Sequence, residues 1–185
     1  MPSLMTASRA TVSLDHPLAV EIRDVAHALS LICRFNGHTP VPYSVAQHSL
    51  AVSHEAGRLA QAAEFNPESV RFIKLVGLLH DAHEYLCGDV TRPVKECLGT
   101  VWHTFERRLQ CQVLDALKLP AVSPAIATLV KQADDRLLSA EQFTFFGLEP
   151  PEAHQDVRKF VINPWPSTWA RSKFLQVYGQ LTEKA

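Results

Sequence analysis

Disulfide patterning, long apolar runs, charge of one sign and strand-type alternation are all scarce in this chain. The four cysteines, Cys33, Cys87, Cys97 and Cys111, show no C-x-x-C spacing and fall in or beside stretches with helical periodicity. That argues against a disulfide framework and for reduced, semi-buried thiols. No apolar run approaches the roughly 20 residues a membrane helix needs. The N-terminus has no basic segment followed by an apolar one, so no secretory signal is expected. The net charge of −1 argues against a surface built to coat a nucleic-acid polymer. There are no internal repeats, low-complexity tracts or linkers long enough to split domains.

What is present is an ordinary globular composition, 46% hydrophobic and 20% charged over 185 residues. It predicts one domain over residues 1–185 with a sizeable core. Residues 1–20 read as an irregular arm with a short extended piece. A helix follows over Asp24 to Ile32, then a loop punctuated by Gly37, Pro40 and Pro42. Ser44-x-x-Gln47 has capping-box spacing and opens a second helix. Asn66-Pro67 starts a third as cap and first helical residue, and Gly88 stops it. A short helical turn near Arg92-Pro93 precedes a helix over Thr100 to Leu119. Ser123-Pro124 starts another, which runs to Phe146 and stops at Gly147. The C-terminal helix spans 166–183.

Nine histidines exceed what composition requires, and two of them sit where a core should be. His80 and Asp81 lie in Lys74-Leu75-Val76-Gly77-Leu78-Leu79-His80-Asp81-Ala82-His83-Glu84, an otherwise apolar stretch. An imidazole and a carboxylate facing a core are costly unless paired or bound to a metal. Neighbours on a helix diverge by about 100° and residues four apart stack. His80 and Asp81 therefore reach one point, with Glu84 a turn above and Gly77 a turn below, where another helix can approach closely. His48 lies on the buried stripe Val45, His48, Val52, Ala56, Leu59. Asp134 shares its face with Val130, Leu137 and Leu138, whereas Asp135 shares one with Lys131 and Gln142, so burial favours Asp134. Two imidazoles and two carboxylates make a mixed N/O shell for one divalent ion, with Mn, Co, Zn, Fe and Mg as candidates.

The ordered set Cys33-Arg34-Phe35-Asn36-Gly37-His38-Thr39, Tyr43 to Ser49, His80-Asp81-Ala82-His83-Glu84, Gly88 to Lys95 and Lys131-Gln132-Ala133-Asp134 resembles the HD-domain phosphohydrolase superfamily. It is most similar to small bacterial and phage proteins of the 5′-deoxynucleotidase type, which are related to phage deoxynucleoside-triphosphate hydrolases. The matching blocks span about residues 20–145. The resemblance implies an all-α HD-domain helical bundle. It implies His48, His80, Asp81 and Asp134 as metal ligands, Glu84 as general acid/base, and Asp89 orienting water or protonating the leaving oxygen. Arg34 and Lys131 are implied as phosphate contacts, which suits Arg's bidentate fork.

The resemblance also implies a cytoplasmic protein, bacterial or phage-borne, acting on a small deoxynucleotide and assembling as a homo-oligomer. Phe35 can stack on a nucleobase or belong to the core, and Pro93 can wall the base pocket. His38 can contact substrate or hold its loop. His83 reads as facing away from His80, supporting or exposed. His16, His27, His54, His103 and His154 read as surface or packing residues. Hydrolysis of deoxynucleoside 5′-monophosphates is the leading expectation, and release of triphosphate from a dNTP such as dATP the alternative. Behind them stand hydrolysis of a signalling nucleotide such as (p)ppGpp and a regulator that binds nucleotides without chemistry.

Overall fold

Side-chain caps set the helix starts. In the computed structural model, which describes residues 2–15 and 19–183, Ser44 Oγ accepts from Gln47 N, Asn66 Oδ1 from Ser69 N and Ser123 Oγ from Ile126 N. His16 lies outside the described residues. The helices so begun are α2 (Val45–Ala62), α3 (Pro67–Leu78) and α6 (Pro124–Phe146), preceded by α1 (Ile22–Leu31) and completed by α4 (Glu84–Cys87), α5 (Arg92–Ala116) and α7 (Ser167–Thr182). Gly147, left-handed, ends α6 as its sequence position predicts. The fold class is all-α.

The arm at the N-terminus forms an antiparallel pair, β1 (Ser3–Met5) and β2 (Thr11–Ser13), with Leu4 opposite Val12. Val12 enters the core, and Asp24 on α1 accepts from the amide and hydroxyl of Ser8, which fastens the hairpin to the bundle. A regular hairpin thus replaces part of the expected irregular arm.

α2 is the central helix, packing on α3 and α6 and also on α1 and α7. At Gly77 the backbones of α2 and α3 come close, since a Cβ there would stand 3.1 Å from Ser53 Cα. One apolar cluster joins α1, the start of α2, residues 75–86, the second half of α5 and α7. Another joins the end of α2, α3 and α6. The capping box is only half formed: the Gln47 side chain turns away to donate to Asn163 O and accept from Trp165 N, tying down the segment before α7.

Two local breaks matter for the site. α3 ends at Leu78, so His80 and Asp81 do not continue it. Residues 79–83 form a turn-rich segment closed by three-residue hydrogen bonds such as Ala82 N to Leu79 O and Glu84 N to Asp81 O. The second break is within α5, where Gly99 adopts φ 60° and ψ −143° and separates Arg92–Leu98 from the longer remainder. Among the described residues, no helix is long and apolar enough to cross a membrane. All four cysteines are free, Cys33 and Cys87 half-buried and Cys97 and Cys111 exposed.

Candidate metal centre

His48 comes from the buried face of α2 and Asp134 from the facing side of α6, while the turn after α3 brings in His80 and Asp81. His48 Nε2 lies 3.2 Å from Asp134 Oδ1 and 3.9 Å from Asp81 Oδ2. His80 Nε2 lies 3.0 Å from Asp81 Oδ2 and 3.9 Å from Asp134 Oδ1. The two imidazole rings are 5.2 Å apart between centroids. Four groups predicted from three separated segments therefore converge on one point.

Each imidazole is oriented from behind. His80 Nδ1 donates to Gly77 O at 2.8 Å, a carbonyl left free where α3 ends. His48 Nδ1 bonds to Glu141 Oε1 at 2.6 Å. With the Nδ1 atoms so engaged, both Nε2 atoms turn inward, and both are buried with no hydrogen-bond partner among the described residues. The nearby carboxylate oxygens are close but not aligned as acceptors, the relation of ligands around a shared centre rather than of donor and acceptor.

The electrostatics agree. Burial and the Arg34 guanidinium disfavour a charged His48, yet Glu141 and Asp134 outweigh them and hold its imidazole up at about 9. Burial also opposes charge on Asp134 and Asp81. The His48 contact and His80 nonetheless hold Asp134 well below the usual carboxylate range, and His80 does the same for Asp81. The carboxylates around His48 favour positive charge at that point. His48, His80 and Asp134 offer ligand atoms all within 4.8 Å of one another and can hold a metal ion. Asp81 flanks this trio.

Glu84, on the first turn of α4, is 2% exposed and its Oε2 has no hydrogen-bond partner among the described residues. Burial, then the neighbouring Asp81 and Asp89, push its carboxyl well above the ordinary range. Asp89 is also raised, chiefly by burial, with Arg34 opposing. A buried carboxyl raised beside a lowered one, Asp81, is an arrangement that suits proton exchange.

A cleft of about 380 Å³ opens beside the cluster, lined on one side by His80, Asp81, Lys131 and Asp134. On its other side are His83, Lys95, Glu106 and Arg107 from the turn and α5. Lys131 Nζ reaches Asp134 Oδ2 at 2.9 Å and Asp135 Oδ1 at 2.8 Å, so it stands at the edge of the metal group as expected. Arg34 is buried behind that group, with Nε and Nη2 on Glu141 Oε2. Phe35 packs edge-on against Phe146 at 5.2 Å, under the Arg34 guanidinium. Pro93 is exposed on the first turn of α5 and does not line this cleft. His38 is exposed on its loop. His83 is buried, with Nδ1 on Gln110 Oε1 at 3.0 Å and Nε2 3.4 Å from Glu106, which rules out an exposed position.

The residue that sequence reasoning passes over is Glu141, fully buried and bonded to His48, Arg34 and Tyr43. A signal for it exists. Glu141 lies seven residues after Asp134, two helical turns along the inward face that carries Val130, Ala133, Leu137 and Ala140. The burial argument that selects Asp134 selects it too. Gln110 is also new: it accepts from His83 N and donates to Leu79 O, holding the turn that presents His80 and Asp81.

No family model matches the chain. It is 40% identical over 135 residues to an uncharacterized protein of Rhodobacter capsulatus, a match that covers 70% of this chain and 66% of that protein. It is 33% identical over 123 residues to the uncharacterized protein YfdR of Escherichia coli, covering 66% of this chain and 60% of YfdR. The chain thus spans a little under two thirds of the length of these curated relatives.

Proposed function

We propose that the protein is an HD-type, divalent-metal-dependent phosphohydrolase that converts deoxynucleoside 5′-monophosphates to deoxynucleosides and phosphate. The observation that carries this reading is the pair of buried, unpartnered Nε2 atoms of His48 and His80 facing Asp81 and Asp134. These four residues would hold the ion, and Mn, Co, Zn, Fe and Mg all accept such donors. Bound there, the ion polarises a phosphoryl oxygen and acidifies water toward pKa ~7.

The chain's own groups do the rest. Glu84 offers the only unpartnered carboxylate oxygen among the buried side-chain atoms described, and exchanges a proton with the attacking water. Asp89 orients that water or protonates the leaving oxygen. Arg34 keeps Nη1 outside its bonds to Glu141 and offers it, with Lys131, to phosphate. Phe35, beside Arg34, would then bound the base, whereas Pro93 lies outside the cleft. In this reading the protein is cytoplasmic, takes small nucleotides rather than polymers, and is a homo-oligomer.

A second reading, release of triphosphate from dNTPs, draws on Lys95 and Arg107. Both line the cleft beyond His80 and Asp81, where further phosphates would lie. Incubating protein loaded with Mn, Co, Zn or Mg with each dNMP and dNTP, and separating products by ion exchange, distinguishes the two. Phosphate from dNMPs supports the first and triphosphate from dNTPs the second. Absence of turnover with every metal and nucleotide eliminates both.

A further inference from the structure

We propose that Glu141 is a positioning residue that locks the metal ligand His48 and the phosphate-binding Arg34 into one rigid unit; the Arg34 half of this rests on the phosphohydrolase reading above. The carboxylate uses both oxygens. Oε1 accepts from His48 Nδ1 at 2.6 Å and from Tyr43 OH at 2.9 Å. Oε2 accepts from Arg34 Nε at 3.1 Å and Nη2 at 2.8 Å. A carboxylate offers about four lone-pair directions, and here all four are taken by three residues. Glu141 and the side chain of His48 are wholly shielded from solvent, and that of Arg34 is only 10% exposed. No water competes for the carboxylate.

Two consequences follow from the geometry. The bond at Nδ1 fixes the tautomer and ring plane of His48, so that Nε2 faces Asp134 and Asp81. The paired bonds on Oε2 fix the guanidinium plane, so that the remaining Nη1 edge has one direction in which to point. The spacing between metal and arginine is then set by a single side chain, the condition for gripping a phosphate whose oxygens must meet both. Arg34 has no freedom to compensate from its own backbone. Its amide is bonded to Tyr43 O, and the next residues, Phe35 and Asn36, turn left-handed at φ 54° and 50°.

The test is a titration of metal-free protein with Co²⁺ alone, followed by its visible absorption, together with steady-state kinetics on dNMP. Glu141→Gln is expected to weaken Co²⁺ binding by about 10- to 100-fold and change the absorption envelope, because the ring of His48 loses its charged anchor. At saturating metal, KM for dNMP should rise by at least about tenfold, more than kcat falls, since ground-state binding of phosphate is what Arg34 supplies. If Glu141→Gln does not fold, Arg34→Met/Glu141→Leu replaces the buried pair with apolar groups of similar size, a change that buried pairs often tolerate. That variant should show the same loss of Co²⁺ affinity. A folded variant of either kind that binds Co²⁺ like the parent, with an unchanged spectrum, overturns the proposal and leaves Glu141 a stabilising residue only. The cobalt readout needs no substrate, so it stands even where the parent hydrolyses no nucleotide. A parent that hydrolyses dNMP while Glu141→Gln keeps its KM removes the Arg34 half alone.

Discussion

A single carboxylate can do opposite things depending on what faces it. Asp81 and Asp134 face imidazoles that lower their carboxyls, whereas burial raises that of Glu84, whose Oε2 has no hydrogen-bond partner among the described residues. The expected consequence is a separation of phenotypes. Glu84→Ala should keep its metal and lose turnover by about 10²–10⁴-fold, whereas Asp81→Ala should lose both, with metal scored by elemental analysis of dialysed protein. Stoichiometric metal in Asp81→Ala would show that Asp81 only flanks the trio of His48, His80 and Asp134. At this scale much of the cluster was legible. His48 and Asp134 each sit on an apolar stripe where a polar residue demands a reason, and Asp135 proves to be engaged by Lys131 and Arg92 at the half-exposed rim. Glu141 shares the inward face of Asp134 but lies beyond the Lys131-to-Asp134 block that draws attention to this helix. Of the two alternatives for His83 the exposed one fails, because its burial depends on Gln110 and Glu106, on a helix about 25 residues away in sequence.

Helix starts and stops were legible because they are local. Ser44, Asn66, Ser123 and Gly147 act within three or four residues of themselves. The end of α3 was not, because the stretch through Leu79, His80 and Asp81 retains helical apolar spacing. A tertiary contact holds the break, Gln110 from α5 taking up Leu79 O and His83 N, and a local one joins it as His80 takes up Gly77 O. The opening predicted at Gly77 is realised, and its tightness makes a test. Gly77→Val should destabilise the protein by about 1–3 kcal/mol in urea unfolding, since the added atoms meet the backbone of Ser53, which cannot step aside. A second link between elements joins Glu55 on α2, Arg136 on α6 and Asp156 in the 3-10 helical segment Glu152–Lys159 that follows. Burial opposes charge on Glu55, but Arg58 and Arg136 hold its carboxyl below its ordinary value of 4.5. A lowered folded value means that the charged form stabilises the fold above pH 4.5 and that this contribution disappears as pH falls through the folded value. The Tm difference between the parent and Glu55→Gln should accordingly be largest at neutral pH and shrink in acid. A difference that widens below pH 4.5 would contradict the assignment.

Across the whole molecule, burial is uneven. α2 is covered on most sides, whereas α5 buries only Leu109 and Val113 and leaves Val94, Leu98 and Val101 exposed. Its first segment, cut off by Gly99, carries Lys95 to the cleft and is held there largely by polar contacts, among them Lys95 with Glu106. Few buried apolar contacts mean a low local opening energy. Amides of residues 94–98 should therefore exchange hydrogen much faster than those of 49–60 in α2, as mass spectrometry or NMR would measure. Protection of the two segments at the same level would mean that the first segment of α5 opens only with the whole fold.

The residues that hold one another in the core are far apart along the chain: His48 and Glu141 by 93 positions, Arg34 and Glu141 by 107. On a ribosome adding 5–20 residues per second, Glu141 follows His80 by roughly 3–12 s. Through that interval His48, His80 and Asp81 are present without Asp134 or the carboxylate that orients His48. The cluster is completed only when α6 docks against α2, so the same late event that seals the interior also brings the last of its groups into place.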